Sequence, residues 1–451
     1  MLRYMSMVVV LVAVAPGETR AELPLKVGAF AVDASPPVGS PLAYDPTKGV
    51  THPLSCRGIV LIGDGQPVVL CAVDWIGIAN DGQLEFRTAL ATAAGTDLHR
   101  VAVHTLHQHD APACDFSADR LLADQAINRQ VFDARFARDV IARTADVVRV
   151  ATKEARPVTY LGLGQAEVEN VASNRRILGP DGKVKVVRWT ACTDPAVRAM
   201  PVGTIDPVLR MISFWDGTQP VAVLTYYATH PQSYYRTGLA NPDFPGMARD
   251  QRQTATGVPH VPFIGAGGNI GAGKWNDGSP ENRQVLADRV AAGMAKAWSA
   301  TVKSPITAAD LGWTSLPVAL PPASHLDEGR LQALVNDASK PVRERSEAAH
   351  ELVWLRRCGS GDTIDVSCLR LGKTRVLHLP GELFVEYQLA AQKIRPDLFV
   401  AMAAYGDYGP GYIGTEVAYS QGGYETGPRA SLVAPSVERV LIDVITKLLK
   451  E

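Results

Sequence analysis

Several strongly apolar runs of this chain end directly in polar residues, and this pattern constrains the fold more than any other feature of the sequence. The runs RVAV, PVAVLTYY and TRVLHL lead into HTLHQHDAP, ATHP and PGE, respectively. Short apolar runs of this kind are typical of buried strands, and helical patterns lie between them. The 451 residues therefore predict an α/β fold, with a single large layered domain of mixed β-sheet flanked by helices.

Local patterns predict the individual elements. The opening run KVGAFAVD is a predicted strand, and RGIVLIG and QPVVLCAVDW form a predicted hairpin through the Asp64-Gly65 turn. Apolar residues at helical spacing predict helices in GQLEFRTALATAAG, in SVERVLIDVITKLLKE, and over residues 123–150, 282–302 and 326–357. A further helix is predicted to begin at Glu382, after a Pro-Gly turn.

The N-terminus has the features of an export signal. Arg3 precedes the apolar stretch MVVVLVAVA, and the segment ETRA ends at Ala21 with a plausible cleavage site. The stretch is shorter than the roughly 20 residues that span a bilayer. We predict a signal peptide over residues 1–21, a mature domain over residues 22–451, and an extracytoplasmic location without stable membrane insertion. A membrane anchor and an ordinary buried strand are the competing interpretations.

Charge and cysteine content restrict the partners and the redox chemistry. Lys and Arg number 45 against 46 Asp and Glu, and no basic run is interleaved with aromatic residues, which argues against a nucleic acid partner. Cys358 and Cys368 close a turn-rich loop and form the preferred disulfide pair among six cysteines. Buried free thiols are an equally good interpretation for Cys56 and Cys71.

Histidines and one glutamate follow the apolar runs. His104, His107 and His109 follow the first, His230 the second and Glu382 the third. Ligands of α/β proteins gather outside the carboxyl ends of strands, and residues two apart on an extended segment face the same way, so His107 and His109 are expected to share a site. Nitrogen and oxygen donors without thiolates suit zinc. Core histidines with ordinary hydrogen bonds are the alternative, and spacing alone does not choose between the two.

A set of short motifs then adds a resemblance. VDASPPVG, HQHDAP, YYATHP, NPDFPG, PGE and GYIGTEVAYSQGGYE occur in that order along the chain. In these motifs, residues 26–428 resemble the catalytic domain of neutral or alkaline, non-lysosomal ceramidases and their bacterial relatives. The resemblance implies a zinc-dependent amide hydrolase.

The resemblance also implies a set of zinc ligands. HQHDAP matches the family's HTHSGP, whose second histidine binds zinc and corresponds to His109. YYATHP supplies His230, and PGE supplies Glu382. Tyr412 matches the ligating tyrosine before Ile-x-Thr, whereas composition alone leaves the tyrosines of AAYGDYGPGYIG interchangeable.

Further residues are implied near the substrate. Tyr424, twelve residues after the ligating tyrosine, matches a tyrosine that contacts the substrate and is the candidate donor to an oxyanion. His107 is a candidate base or acid, or else a residue that orients the site. The pair Asn174-Arg175 matches the family's Asn-Arg element and is expected to bind a polar headgroup, and Asp243 of NPDFPG is also expected near the substrate.

The chain departs from the family pattern in three places. The family's GDxSP segment appears as GNIGA, so Asn269 replaces an aspartate and Gly271 replaces a serine near the scissile amide. Glycine offers a backbone N–H but no hydroxyl, which removes any mechanism that uses that serine. Asp110 replaces a hydroxyl residue beside His109. The chain also ends in a helix, without the C-terminal β-sandwich of longer family members.

Together these observations predict a zinc hydrolase that cleaves the N-acyl amide bond of a ceramide-like lipid with metal-activated water. The lost serine favours an alternative, a zinc hydrolase on the same scaffold that acts on a non-ceramide amide or an ester. A non-catalytic exported binding protein is a third hypothesis, which the intact ligand set disfavours. The expected partner is a small-molecule or lipid amide, and the sequence leaves the oligomeric state open.

Overall fold

Three larger sheets contain most of the strands that the sequence predicts. The protein is described over residues 23–450, from a computed structural model. The predicted signal peptide over residues 1–21 therefore lies outside the described residues. Within the described residues, no helix is both long enough and apolar enough to cross a membrane.

The strands of the described residues include long runs that build the larger sheets and several strands of only two residues. In chain order they are Leu25–Asp33 (β1), Gly49–Val50 (β2), Ser55–Ile62 (β3), Val68–Val73 (β4), Gly77–Ile78 (β5), Val101–Thr105 (β6), Ala113–Cys114 (β7), Arg156–Val158 (β8), Tyr160–Glu167 (β9), Ser173–Asn174 (β10), Arg176–Leu178 (β11), Val184–Val187 (β12), Val208–Asp216 (β13), Gln219–Tyr227 (β14), Leu239–Ala240 (β15), His260–Ile264 (β16), Ile270–Gly271 (β17), Val302–Pro305 (β18), Leu311–Val318 (β19), Ile364–Leu371 (β20), Thr374–His378 (β21), Glu382–Leu383 (β22), Phe399–Ala403 (β23) and Tyr412–Ile413 (β24).

The helices lie between these strands. They are Asp81–Ala94 (α1), Phe116–Ala123 (α2), Ala134–Lys153 (α3), Pro195–Ala199 (α4), Asp243–Thr256 (α5), Pro280–Ser299 (α6), Glu328–Asn336 (α7), Val342–Gly359 (α8), Val385–Ile394 (α9), Glu416–Gln421 (α10) and Val437–Lys450 (α11).

Each of the three larger sheets has one parallel pair of strands at an edge. Their strand orders are β6-β4-β3-β1-β8, β16-β14-β13-β9-β18 and β19-β20-β21-β23. The pairs β4–β6, β14–β16 and β21–β23 are parallel, and the other pairings in these sheets are antiparallel. The first sheet contains the predicted hairpin, β3 and β4, which is confirmed.

The sheets share one large core and are covered by helices. Apolar side chains from all three sheets meet in this core, among them Leu61, Phe214 and Val376. Helices α1 and α3 cover the other face of the first sheet, and α5 and α6 cover the other face of the second. Sheets that bury one face against each other and the other against helices form a layered α/β domain, as predicted.

Two predicted helices are broken in the structure. The helix expected over residues 123–150 begins only at Ala134, where Asp133 caps its N-terminus by accepting a hydrogen bond from the Phe136 N–H (3.0 Å). The helix expected over residues 326–357 is split into α7 and α8. Pro341 precedes α8, and proline lacks the N–H that a continuous helix would need there.

The cysteines also correct the sequence analysis. Cys358 carries a free thiol whose Sγ lies 3.8 Å from the Leu320 carbonyl oxygen, so the preferred disulfide between Cys358 and Cys368 is not formed. Burial raises the pKa of the Cys358 thiol to about 11. Cys56 and Cys71 lie on neighbouring strands as buried thiols with their sulfurs 3.5 Å apart, which confirms the alternative interpretation for this pair.

Candidate metal centre

Segments that follow the parallel strand pairs meet at one point of the molecule. β6 leads to His107 and His109, β14 leads to His230, and β21 leads to Glu382. These three strands belong to three different sheets, and the packing of the sheets on one shared core brings their carboxyl ends together. The polar residues that follow three of the predicted apolar runs therefore lie close together in the structure.

Three buried histidines form the centre of this site. One ring nitrogen from each of His107, His109 and His230 lies within 4.8 Å of the others, and each side chain is buried. Among the described residues this is the group of His, Cys, Asp and Glu side chains that can hold a metal ion.

The local backbone at these histidines differs from the extended segment that the sequence predicts. β6 ends at Thr105, and His107 has a left-handed conformation with φ of 64°. His107 and His109 still reach the same site, with ring centroids 4.9 Å apart and planes at 83°. They do so because the chain turns between them, and the alternation of an extended strand is not the cause.

Backbone carbonyls fix which ring nitrogen of two histidines faces the site. His107 Nδ1 lies 2.6 Å from the Ile76 carbonyl oxygen, and His109 Nδ1 lies 3.1 Å from the Pro231 carbonyl oxygen. A carbonyl only accepts, so Nδ1 carries the proton in each neutral ring and Nε2 keeps a lone pair. His107 Nε2 lies 3.2 Å from Glu382 Oε2, and His109 Nε2 lies 3.4 Å from His230 Nε2.

Glu382 is a carboxylate with one satisfied oxygen and one free oxygen. Oε1 accepts a hydrogen bond from the Tyr408 hydroxyl at 2.7 Å. Oε2 has no hydrogen-bond partner, and neither has His230 Nδ1, which lies 3.7 Å from it. Buried polar atoms without partners are costly, and a cation between these two would satisfy both. The donor set is also the one that zinc prefers, so the residues present fit a zinc ion.

The sequence predicts that a helix begins at Glu382, and this prediction is wrong. This residue lies in β22, which pairs in parallel with β24, and Glu382 is the register partner of Tyr412. Helix α9 starts at Val385. The glycine-rich segment packs against β22 so closely that a Cβ on Gly268 would lie 2.2 Å from the Glu382 carbonyl oxygen. Only glycine fits at such an approach.

Tyr412 is buried beside a buried arginine. The Arg175 Nη2 group lies 3.1 Å from the Tyr412 hydroxyl and donates to the Gly268 carbonyl oxygen at 2.6 Å. Arg175 Nε lies 3.3 Å from Glu425 Oε1, which balances the guanidinium charge. Burial raises the pKa of Tyr412 well above its ordinary value, and the neighbouring Arg175 opposes that rise.

Burial also affects the histidines. It lowers the pKa values of His109 and His230 well below the ordinary value for histidine, with smaller contributions from neighbouring positive groups. Neutral imidazoles are the form that binds a metal or accepts a proton.

Two tyrosines that the sequence could not distinguish from Tyr412 also belong to the site. Tyr408 donates to Glu382, as described above, and the Tyr405 ring stacks on His107 with centroids 4.8 Å apart. The signal for both was present in the Tyr/Gly-rich loop after β23. No general pattern, however, shows which tyrosine of such a loop faces inward.

The residues predicted near the substrate are spread over different positions. Arg175 and Tyr424 line the cavity above the histidines, and 49% of Tyr424 is exposed. Asn269 instead accepts a hydrogen bond from the Val385 N–H (2.9 Å) and donates to Glu386 (2.9 Å), which holds the start of α9. Gly271 pairs with Ser173 and lies behind Arg175.

Asn174 and Asp243 serve the backbone around the site. Asn174 donates to the Thr204 carbonyl oxygen (3.0 Å) and accepts from the Arg176 N–H (3.0 Å). Asp243 accepts from Ser233 and from the Tyr234 N–H, which closes the loop after His230, and burial raises its pKa to about 6. Neither is among the described residues that line the cavity.

The cavity above the histidines has a volume of about 500 Å³ and is walled mainly by aromatic rings. Its lining includes Tyr44, Trp189, Tyr235, Tyr408, Tyr412, Tyr424 and the cation Arg343. A second cavity of about 270 Å³ shares Tyr44, Arg343 and three of these tyrosines and adds charged groups, among them Glu347, His350, Glu351 and Arg429.

Comparisons with known proteins show which solved structures have a similar fold. No protein-family profile and no curated protein sequence matches the chain. A neutral ceramidase from Pseudomonas aeruginosa is similar in structure, with a TM-score of 0.66 at 17% identity over 95% of this chain and 74% of that chain. A ceramidase complexed with C2 is similar with a TM-score of 0.67 at 16% identity, over 95% of this chain and 75% of that chain. The protein therefore has the fold of these ceramidases, and the predicted fold class is confirmed.

Proposed function

We propose that this protein is a zinc-dependent hydrolase of N-acyl amide bonds. The observation that carries the proposal is the cluster of three buried histidine rings beside Glu382, whose Oε2 has no hydrogen-bond partner. A protein of this size does not need a metal to fold, so a built cation site at the floor of a cavity favours catalysis. The shared fold with ceramidases supports the same reaction class.

The arrangement favours His107, His230 and Glu382 as the central ligands, with Tyr412 as the fourth. His107 Nε2 and His230 Nδ1 both approach the same unpartnered oxygen of Glu382, at 3.2 and 3.7 Å. His109 instead approaches the other ring nitrogen of His230, at 3.4 Å. This exchanges the roles that the sequence resemblance implies for His107 and His109.

His109 then becomes the proton carrier of the proposed reaction. Its Nδ1–H is held by the Pro231 carbonyl, so Nε2, which faces His230 Nε2 at 3.4 Å, is the atom at which it takes up a proton. When bound, zinc lowers the pKa of water and polarises a carbonyl oxygen. Tyr408 holds Glu382, Arg175 holds the Tyr412 hydroxyl, and the half-exposed Tyr424 is placed to donate to a substrate oxygen.

The cavity walls favour a non-ceramide amide as the second candidate substrate. A long alkyl chain requires apolar walls, and charged groups buried against it without partners are costly. The main cavity is lined mainly by aromatic rings with the cation Arg343, and the adjoining cavity combines apolar residues, among them Val131, Phe132 and Leu432, with the charged groups of Arg343, Glu347 and Arg429. The charged groups among these walls favour a compact N-acyl amide with a polar group as the second candidate.

The proposal is tested by metal analysis and a substrate panel. The purified protein is expected to contain one zinc ion per chain and to hydrolyse N-acyl amino acids, ceramides or simple esters, with the panel ranking the substrate classes. His230→Ala and His107→Ala are expected to lose zinc, whereas His109→Ala keeps zinc and loses turnover.

His99→Ala is a matched control, since His99 is exposed and bonded to Asp365. It should retain zinc and activity. Wild-type protein without zinc under metal-replete conditions would contradict the proposal. If the zinc-loaded protein hydrolyses none of the substrates in the panel, the proposed hydrolase activity is rejected and only metal binding is supported.

A further inference from the structure

Gln108 separates the two histidines of the HQH segment, and its side chain points into the protein interior. It is fully buried. Its Nε2 group donates to Asp74 Oδ1 at 3.3 Å and to the Pro242 carbonyl oxygen at 3.2 Å. Both partners only accept hydrogen bonds, so the amide nitrogen must face them.

Asp74 is a rigid and electrically balanced anchor for this amide. Arg249 Nη1 contacts both of its oxygens, at 2.9 and 2.7 Å, and both side chains are buried. The N–H and hydroxyl of Ser55 donate to Asp74 as well, each at 2.8 Å. A buried ion pair with this many satisfied contacts holds its position well, because any displacement would leave a charge unpaired.

The second acceptor joins the two histidine-bearing segments. Pro242 ends the loop that begins after His230 and immediately precedes α5. The same two segments are tied by His109 Nδ1 to the Pro231 carbonyl oxygen (3.1 Å) and by the Asn241 N–H to the Asp110 carbonyl oxygen (3.3 Å). Gln108 is the member of this set that also reaches the ion pair in the core.

The backbone needs such a tether. His107 precedes Gln108 in a left-handed conformation that L-residues adopt only when their surroundings enforce it. The His107 N–H donates to the Trp75 carbonyl oxygen at 3.0 Å, which fixes one side of the turn. Gln108 fixes the other side, so the two imidazoles on either side of it cannot rotate apart.

We infer that Gln108, anchored on the Asp74–Arg249 pair and on Pro242, is a positioning residue that sets the metal affinity of the site by holding the proposed ligand His107, and with it the neighbouring His109, in the observed orientation. The inference rests on the proposed zinc site. Residues that orient metal ligands typically contribute about 10- to 100-fold to metal affinity.

The test measures binding of Zn²⁺ and Co²⁺ to the full chain by competition with a chelator, together with the melting temperature. Gln108→Met keeps the volume and removes both hydrogen bonds, and it is expected to weaken Zn²⁺ binding about 10-fold or more and to change the visible spectrum of the Co²⁺ form. Gln108→Glu places a second carboxylate against Asp74 and is expected to weaken binding further. The side chain of Gln108→Asn is too short to reach both acceptors. If Gln108→Met does not fold, this variant replaces it and is also expected to bind Zn²⁺ more weakly than wild type.

Gln388→Met is the matched control. Gln388 is also buried and donates to a buried carboxylate, Asp206 (2.7 Å), which pairs with Arg210. It should lose melting temperature without losing Zn²⁺ affinity. The inference about Gln108 would be overturned if Gln108→Met bound Zn²⁺ as tightly as wild type, or if Gln108→Met and Gln388→Met lost equal Zn²⁺ affinity. Either result would leave the proposed zinc site standing. Wild-type protein that binds no Zn²⁺ would overturn the proposed function itself.

Discussion

Two groups of buried histidines arise from the same two parts of the chain, yet their surroundings differ. β6 contains His104, and His107 follows its end. β21 ends in His378, and Glu382 follows in β22. The pair His104–His378 therefore lies one layer below the candidate metal centre and is built from the same strands.

The pair has the contacts of a structural group. His104 Nε2 and His378 Nδ1 lie 3.0 Å apart, and His104 Nδ1 lies 2.7 Å from the Ala404 carbonyl oxygen. The rings pack against Phe263 and Trp313. Within the described residues neither histidine forms an ion pair, whereas His107 and His230 both approach Glu382.

The comparison shows that burial of a histidine is a poor indicator of metal binding, because both groups are fully buried. What distinguishes the metal centre is a carboxylate whose free oxygen faces imidazole nitrogens that have lone pairs available. One hydrogen bond between His378 Nδ1 and His104 Nε2 leaves a single uncharged nitrogen, His378 Nε2, without a partner. A carboxylate that faces two imidazole lone pairs is costlier to bury and is satisfied by a proton or a metal ion placed between them.

The largest expected difference between the two groups concerns activity. Glu382→Gln removes the charge that compensates the cation, and we expect loss of zinc and a fall in kcat/KM of about 1,000-fold or more. His378→Gln is the matched change in the other group and should keep both zinc and turnover. Zinc content and steady-state kinetics of the two variants check this, and a zinc-free His378→Gln would break the distinction.

Metal removal is expected to lower the free energy of unfolding through the candidate metal centre and not through the His104–His378 pair. At free zinc about 1,000 times its Kd, binding to the folded state adds about 4 kcal/mol to the free energy of unfolding. We expect chelation to lower the unfolding midpoint of wild type and of His378→Gln by the same amount, and to leave Glu382→Gln unchanged. Urea titrations with and without chelator measure the difference.

Acid should destabilise the protein through the structural pair. Burial lowers the pKa of His104 to about 4, below its ordinary value of 6.5 in the unfolded chain. Above pH 6.5 neither state binds the proton, so this contribution to stability is fully present there. Between pH 6.5 and 4 the unfolded chain takes up a proton that the folded protein does not, and the free energy of unfolding falls.

For His104 alone, the loss between pH 7 and pH 5 is about 2 kcal/mol. In excess chelator, His104→Gln is expected to lose correspondingly less stability than wild type over this range. Urea unfolding of the two proteins at both pH values gives the comparison, and parallel losses would show that the pair does not titrate as described.

The smallest expected effect concerns the hydrogen bond that holds Glu382. Tyr408→Phe removes the hydroxyl that donates to Oε1 and should weaken zinc binding about 10-fold, with the ligands intact. Trp313→Phe alters the ring that packs on His378 and should leave zinc affinity unchanged. Chelator competition distinguishes them, and equal affinities would mean that Tyr408 does not orient Glu382.

Much of the site could be predicted from the order of apolar runs and polar ends. The α/β fold, the hairpin of β3 and β4, and the placement of polar residues after three strand ends all follow from patterns that are local in sequence. The family motifs added Tyr412, which lies in the centre beside Arg175.

Other features depend on backbone turns and contacts that no local pattern encodes. The left-handed turn at His107 brings its Nε2 to 3.2 Å from Glu382 Oε2, a contact that no motif indicated. Asn269 stands in the GNIGA motif where the family has a site aspartate, but its side-chain amide holds the start of α9. Tyr408 differs from its neighbouring tyrosines only in which way the loop after β23 points its side chain.

The parallel bridge between β22 and β24 has a consequence for the order of folding. The candidate ligands span the chain from His107 to Tyr412, and Glu382 and Tyr412 come into register only when their two segments pair. Contacts between such distant segments form late, after the sheets have assembled. Zinc would therefore not nucleate folding here, in contrast to small zinc domains, and would act after the chain has folded by slowing its unfolding.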